Sequence, residues 1–226
     1  MKSNKSMKGG GTSELIVSGV MIILVVAIII GLYYYFQSYS VRGNVTRDFL
    51  PFIHDAKIAK RVNQGAIPSS SQGNEYNLNF WVYINDYTYR YNDDKVILNR
   101  NNNPNVMLSS NTNSLKVLIN VEDNLNDIDG EEEDDSSLIN VCEVKDIPLQ
   151  RWVNINLSLN NKVMDIFMDG KLSKTCIING YPKPNIGSMD ITPNGGFNGF
   201  ISSVRFSNSS LSLNEIGKFY KNGPSL

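Results

Sequence analysis

The sequence of 226 residues predicts an all-β protein: an antiparallel β-sandwich with one N-terminal transmembrane helix and a short C-terminal helix. Three observations predict it. Leu15 to Phe36 is a run without a charged residue. From Glu75 onward, short stretches alternate apolar and polar residues between turn clusters, the period of strands with one buried face. After the N-terminal run, only the stretch from Ser212 to Gly223 carries helix signals.

Composition narrows the function classes. The net charge is −1, so no field favours nucleic acid. One histidine, His54, makes His-based catalysis or a His-ligated zinc site a poor fit. Asn is abundant, as in Asn99 to Asn105 (NRNNNPN), which is a turn and loop bias and not a motif.

Residues 1–14 form a basic tail with Lys2, Lys5 and Lys8. Residues 15–36 (LIVSGVMIILVVAIIIGLYYYF) would make a helix of about 33 Å, enough to cross a hydrocarbon core of about 30 Å. Tyr33, Tyr34, Tyr35 and Phe36 sit where an aromatic belt meets the headgroups. The competing reading is a cleaved signal peptide, with Ser38-Tyr39-Ser40 imitating the cleavage site, but the apolar run exceeds an ordinary signal core. Lysines before the span favour a cytoplasmic N-terminus and an exoplasmic or lumenal C-terminal domain. Sequons at Asn44, Asn156 and Asn208 are candidate glycosylation sites consistent with that side.

Residues 37–65 read as a stalk and linker. Asp48 to Val62 has Pro51 and no clean period, and Gln64 to Asn74 is rich in Gly, Ser and Pro. His54 is expected there as a solvated residue. Residues 66–226 are the folded domain. Tyr76 to Ile84 puts Tyr76, Leu78, Phe80, Val82 and Ile84 on one face and Trp81 and Tyr83 on the other. Short strands follow around 95–98, 106–108, 115–121 and 138–144. Trp152 to Leu159 alternates Val153, Ile155, Leu157 and Leu159 against Trp152, Asn154, Asn156 and Ser158. Asn160-Asn161 and Asp169-Gly170 are hairpin turns around 163–168, and a strand follows over 174–178. Short strands at regular spacing argue a sandwich. Gly195 to Gly223 closes the domain: a glycine turn, a strand with Phe197, Phe200, Val204 and Phe206 facing core or sheet, and a helix opened by the capping box Ser212-Leu213-Asn214-Glu215.

Three of these pieces carry a resemblance. They are Trp81 in NFWVYI, Trp152 opening a strand that hairpins into DIFMDGKL (Asp165 to Leu172), and the closing block FNGFISSVRFSNSSLSLNEIGKFYKNG. Together they resemble the laminin-G-like, concanavalin A-like lectin/glucanase jelly roll over about residues 66–224. That resemblance implies two antiparallel sheets packed face to face, a fold that hosts lectins, adhesion modules and glucanases. An anchored domain of this kind with Asn-rich loops also resembles proteins predicted in large DNA viruses of protists.

Candidate sites follow. Cys142 and Cys176 lie in predicted strands and are either a disulfide, suited to an exoplasmic domain, or two buried thiols. Glu122 to Asp135 holds nine carboxylates in fourteen residues. It is either a solvated acidic loop or a Ca²⁺ site with Asp127, Asp129 and Glu131 as ligands; the resemblance implies calcium at a loop rim. It fails as an EF-hand, because Leu125 and Ser136 fall where carboxylates are needed. Tyr87, Tyr89 and Tyr91 are candidate recognition residues, able to stack on sugars or grip a protein; the alternative is a strand extension packed on the stalk. Asp165 and Asp169, four apart on one strand, would stand roughly 13 Å apart, too far for a glycosidase pair. The Glu-x-Asp-x-Glu strand of glucanases with this fold is absent. The expectation is a non-catalytic, membrane-anchored module binding a glycan or protein at a cell, organelle or virion surface. A structural envelope or membrane assembly component is the alternative, and a glycoside hydrolase is least favoured.

Overall fold

The computed structural model describes residues 11–40, 45–69, 74–122, 139–184 and 186–225, with the helix side chains from 16 to 35. It falls into two units, Met1–Gly43 and Asn44–Leu226. The first is helix α1 (Gly11–Ser40). Its stretch Ile16–Tyr35 is long and apolar enough to cross a membrane.

The second unit is a β-sandwich of two antiparallel sheets. Its strands are β1 (Thr46–Leu50), β2 (His54–Asp55), β3 (Lys60–Val62), β4 (Tyr76–Ile84), β5 (Lys95–Asn99), β6 (Asn105–Leu108) and β7 (Ser114–Asn120). They continue with β8 (Ile139–Lys145), β9 (Trp152–Asn160), β10 (Val163–Met168), β11 (Lys171–Ile177), β12 (Met189–Ile191) and β13 (Gly199–Ser207). Helix α2 (Leu213–Lys221) follows. One sheet runs β1-β13-β4-β9-β10-β11, with β2 also on β13; the other runs β3-β12-β5-β6-β7-β8.

The alternation in β4 and β9 sets the core. Leu78 stands opposite Leu157, Phe80 opposite Ile155 and Val82 opposite Val153, all buried. Ile97, Val106, Leu115, Val117, Ile119, Cys142 and Ile191 join them from the second sheet. The outer face of β4 and β9 is polar, as expected, yet it is buried. Asn77 pairs with Asn156 through reciprocal amide hydrogen bonds of 2.9 Å, and Asn79 with Asn154 at 3.2 and 3.4 Å. Four buried amides in mutual pairs satisfy each other where single ones would carry an unmet desolvation cost.

Helix α2 meets this outer side of the sheet. Its Ser212 hydroxyl accepts from the Glu215 amide at 3.4 Å, and the Glu215 carboxylate accepts from the Ser212 amide at 2.9 Å, which is the capping box read from the sequence. Tyr220 stacks on Trp81 with ring centres 5.9 Å apart, and the Arg205 guanidinium lies 5.3 Å from the Phe219 ring. Trp81 thus points away from the core, as the alternation requires, and still finds an apolar partner.

Several expectations change. Residues 46–62, read as stalk, contribute three strands: β1 and β2 pair with β13, and β3 with β12. The domain therefore begins before residue 66, and His54 lies in β2 with its ring Nε2 2.8 Å from the Ile58 carbonyl oxygen. Of the candidate sequons, Asn156 is buried mid-strand, and the buried Asn208 uses its side-chain oxygen to accept from the Val45 amide at 2.8 Å. Asn44 lies outside the described residues. Phe200 faces outward, 6.3 Å from Tyr83, while Ile201 takes the core position; a register shift between Ser202 and Arg205 then brings Val204 and Phe206 inward.

The two cysteines form a disulfide with Cα atoms 6.0 Å apart. They are not neighbours within one sheet. Cys142 is on β8 and Cys176 on β11, the edge strands of opposite sheets, so the bond staples one side of the sandwich. It joins positions 34 apart in sequence, a loop that constrains the unfolded chain by about 2–4 kcal/mol. Replacing both cysteines with serine should lower the unfolding free energy by that amount and shift the denaturant midpoint down accordingly, and reductant should then leave the variant unchanged. An unaltered midpoint would show that the bond adds no stability.

A polar groove on the smaller sheet

The site is built by three short pieces of strand. In β3 and β12 the inward residues Val62, Met189 and Ile191 are buried, so Arg61 and Asp190 between them must point outward. The register sets Asp190 opposite Arg61 on one side and Asn99 of β5 on the other. Cross-strand neighbours on one face lie close enough to act as a unit. The row therefore reads guanidinium, carboxylate, amide across three strands.

Arg61 and Asp190 form a forked ion pair: Nε to Oδ1 at 2.6 Å and Nη2 to Oδ2 at 2.9 Å. The hydrogen bond from Arg61, aided by its charge, holds the Asp190 carboxyl below the usual carboxylate range. Two hollows adjoin along this row and share Arg61, Asn99 and Asp190. One has a cavity volume of about 490 Å³ and is bounded by Gln64, Asn101, Asn102 and Ser188. The other, about 440 Å³, is bounded by Lys60, Val96, Pro193 and Asn194.

The rim is fixed from outside and inside. The Asn99 side chain accepts from the Asn102 amide at 2.8 Å, which holds the Asn-rich turn with Asn101 and Asn102 in the left-handed region. Behind them Arg100 turns inward. Its Nε donates to the Gly187 carbonyl at 3.4 Å, and its guanidinium lies 4.6 Å from the Phe206 ring. Burial pulls the Arg100 group down to about 10, which keeps it cationic at neutral pH. Asn103 donates to the Lys183 carbonyl, joining this turn to the segment before β12.

The three tyrosines expected as a recognition surface are not displayed together. Tyr87 packs against the core over the buried Lys95, whose ammonium is 5.6 Å from its ring, and its buried hydroxyl is pushed up by desolvation. Tyr89 donates its hydroxyl to the Gly195 carbonyl at 3.1 Å. Tyr91, 60% exposed, is the one on the surface. The reason is Asp86, which accepts from the Thr88 hydroxyl at 2.7 Å and the Thr88 amide at 2.9 Å, closing the loop into a compact turn. Those same hydrogen bonds hold the Asp86 carboxyl below its ordinary value. Arg90 adds a hydrogen bond to the Asn194 carbonyl, so the tyrosine loop buttresses the groove rim at 194–195.

Asp127, Asp129 and Glu131 lie outside the described residues, and among the described residues no group of three or more His, Cys, Asp and Glu side chains could hold a metal ion. Asp165 accepts from the Thr175 hydroxyl at 2.5 Å, and Asp169 accepts from the Asn154 amide at 2.9 Å and pairs with Arg151 at 2.8 Å. Both carboxylates serve the β9–β11 hairpins. Arg61, Asn99 and Asp190 were missed by the sequence reading. Arg61 and Asp190 sit on strands of three residues, too short to show a period, and Asn99 ends β5 among other asparagines.

Two parallel layers of strands, a helix-closed end and a hydrogen-bonding groove define a lectin-type sandwich. A laminin-G family model, described as the concanavalin A-like lectin/glucanases superfamily, matches residues 61–217, and the chain belongs to that family. No curated protein matches. Among solved structures, the chain is similar to the receptor binding domain of botulinum neurotoxin C/D mosaic serotype, at 10% identity and a TM-score of 0.58, over 80% of this chain and 47% of that one. It is also similar to the receptor binding domain of botulinum neurotoxin D (11% identity, TM-score 0.54, 80% of this chain and 48% of that). A third is the botulinum neurotoxin serotype G binding domain (13%, 0.53, 80% and 47%). The chain spans about half the length of those structures, and the likeness concerns the fold.

Because Arg61 depresses the Asp190 carboxyl in the folded state, the ion pair stabilises the fold above the ordinary carboxylate value and ceases to do so as pH falls through the depressed one. The stability difference between the parent and Asp190→Asn should be small, because Arg61 is solvent-exposed and screened. It should be constant from pH 7 to about 5 and shrink below about 4. Urea titrations across that range check this; a difference that persists at pH 2 would refute it.

Proposed function

We infer that this chain is a non-catalytic binding module, anchored by α1 as a single-pass membrane helix, and that the β3–β12–β5 groove takes a hydroxyl-rich glycan segment. The observation that carries the reading is the row Arg61–Asp190–Asn99 between two adjoining hollows. Its donors and acceptors alternate over a few ångströms, which suits vicinal sugar hydroxyls, and its ion pair holds both charged groups in place before a ligand arrives. Among the described residues Asp190 is the sole carboxylate lining either hollow, whereas glycoside hydrolysis requires two about 5–9.5 Å apart. The family and the likeness to receptor-binding domains support a binding role. The disulfide supports an oxidising compartment for the domain, hence a cytoplasmic N-terminus with Lys2, Lys5 and Lys8.

A second reading, assembly with like or unlike subunits, has its own observation. Ile177 is 82% exposed on edge strand β11, with Val141 and Leu172 also exposed on the stapled edges. Exposed apolar residues on edge strands suit protein contact.

The fragment 44–226, which contains the whole core, should bind a restricted set of glycans on an array. Asp190→Ala and Asn99→Ala should each weaken binding by about tenfold, the scale of one lost hydrogen bond to a charged or polar group. Binding should persist in EDTA. Loss in EDTA would move the site to calcium and the acidic loop, and glycan silence together with a stable oligomer in light scattering would favour assembly.

A further inference from the structure

Strands β1 and β2 form one edge of the larger sheet, each paired with β13. Between them residues 51–53 leave the ladder. There Phe52 is 71% exposed and Ile53 is 43% exposed, and Ile58 in the next turn is 57% exposed. Val45, just before β1, is exposed as well. Burying such residues would have been easy in a sandwich; a run of them on one edge is the informative kind of exposure.

On and beside this edge cations outnumber acids, three to two. Arg47, Lys57 and Lys60 are exposed. Of the two acids, Asp48 is paired with Arg205 at 3.0 Å, while Asp55 accepts from the Lys57 amide at 2.9 Å and keeps its charge. An aromatic and branched apolar strip flanked by cations is the chemistry that partitions into a headgroup layer with anionic lipids. The length of chain between the apolar stretch and β1 permits such a contact. The apolar stretch of α1 ends at Tyr35, α1 itself ends at Ser40, and β1 begins at Thr46. Five helical and five fully extended residues span at most about 25 Å.

We propose that the β1–β2 edge, led by Phe52 and Ile53, docks on the lipid surface that holds α1. The proposal rests on the anchoring reading above. It makes the edge a second membrane contact, with Phe52 and Ile53 in the headgroup–acyl boundary and Arg47, Lys57 and Lys60 against lipid phosphates. The groove row is then presented from a domain held against the membrane rather than from a free tether.

The test uses the full chain in vesicles of phosphatidylcholine and phosphatidylglycerol, with and without brominated acyl chains. Phe52→Trp and Ile53→Trp each add an indole at an exposed position, and the parent protein supplies the baseline from Trp81 and Trp152. Ile177→Trp is the control on β11, the opposite edge of the same sheet, five strand spacings or about 24 Å away. Brominated lipid should cut the added emission of Phe52→Trp or Ile53→Trp by about twofold or more and leave that of Ile177→Trp unchanged. Flotation of the protein with vesicles but no quenching at either position, or equal quenching in Ile177→Trp, would overturn docking. Failure to float at all would overturn the anchoring reading, and docking with it.

Discussion

Strand β13 can lie flush between β4 and the β1–β2 edge because glycine stands where backbones meet. A Cβ on Gly199 would come 1.9 Å from the Tyr83 carbonyl oxygen, and one on Gly196 would come 2.1 Å from the Ala56 carbonyl oxygen, where φ is also +40°. Neither contact can be relieved by turning a side chain, since both partners are main chain. The chain's two ends are joined through this one strand: residues 46–55 pair on one side of it and 77–84 on the other. Its start is fixed by Gly196, its end runs into the capped helix, and the tail returns so that the Ser225 amide donates to the Ser203 hydroxyl at 3.0 Å. The closing block that marks the family in the sequence is thus the piece that holds the other strands in place.

What could be read from the sequence follows from strand length and from distance along the chain. Strands β4 and β9 have nine residues each and show their period openly; their inward sets, Leu78–Phe80–Val82 and Val153–Ile155–Leu157, are the core. The capping box at Ser212 and the turn at Asp169-Gly170 are local, so they are legible too. The segment 46–62 is different. Pro51 and the outward Phe52 and Ile53 break its alternation, and its partners are about 140 residues away on β13 and β12. Pairing of that kind is decided by tertiary packing, and local propensity does not report it. The groove shared this fate, because two of its three central residues sit on three-residue strands that gain meaning only when β3, β12 and β5 align.

The tyrosine loop shows how a residue type can mislead. Three tyrosines at alternate positions read as a surface array. Asp86 instead folds the loop onto itself, and Lys95 is drawn beneath it, its ammonium donating to the Asp93 carbonyl at 3.1 Å and the Ser110 carbonyl at 3.3 Å. Desolvation pulls the Lys95 ammonium below the ordinary lysine range, and the face of Tyr87 returns part of the lost solvation as a cation–π contact. Tyrosine serves here as a packing and bracing residue. It braces the groove rim through Tyr89 on Gly195, with Arg90 on Asn194 beside it.

That bracing bears on affinity. A groove of amides on flexible loops would lose much of its binding free energy in ordering the loops. Here the loops are ordered in advance. Asn101 and Asn102 hold left-handed backbone that Asn99 stabilises from the sheet, and Arg100 fastens the same turn to Gly187 and to the Phe206 ring from within. On the opposite rim, Thr192 and Asn194 are also left-handed, and the Thr192 hydroxyl donates to the Ile58 carbonyl at 2.9 Å. Left-handed residues other than glycine cost about 1 kcal/mol or more and persist only where their surroundings hold them. Four of them, Asn101, Asn102, Thr192 and Asn194, flank the Arg61–Asp190–Asn99 row, and hydrogen bonds or a buried cation beside them hold both rims. The same feature explains the Asn-rich composition at this end of the sandwich: asparagine tolerates that backbone and supplies the amide that stabilises the turn.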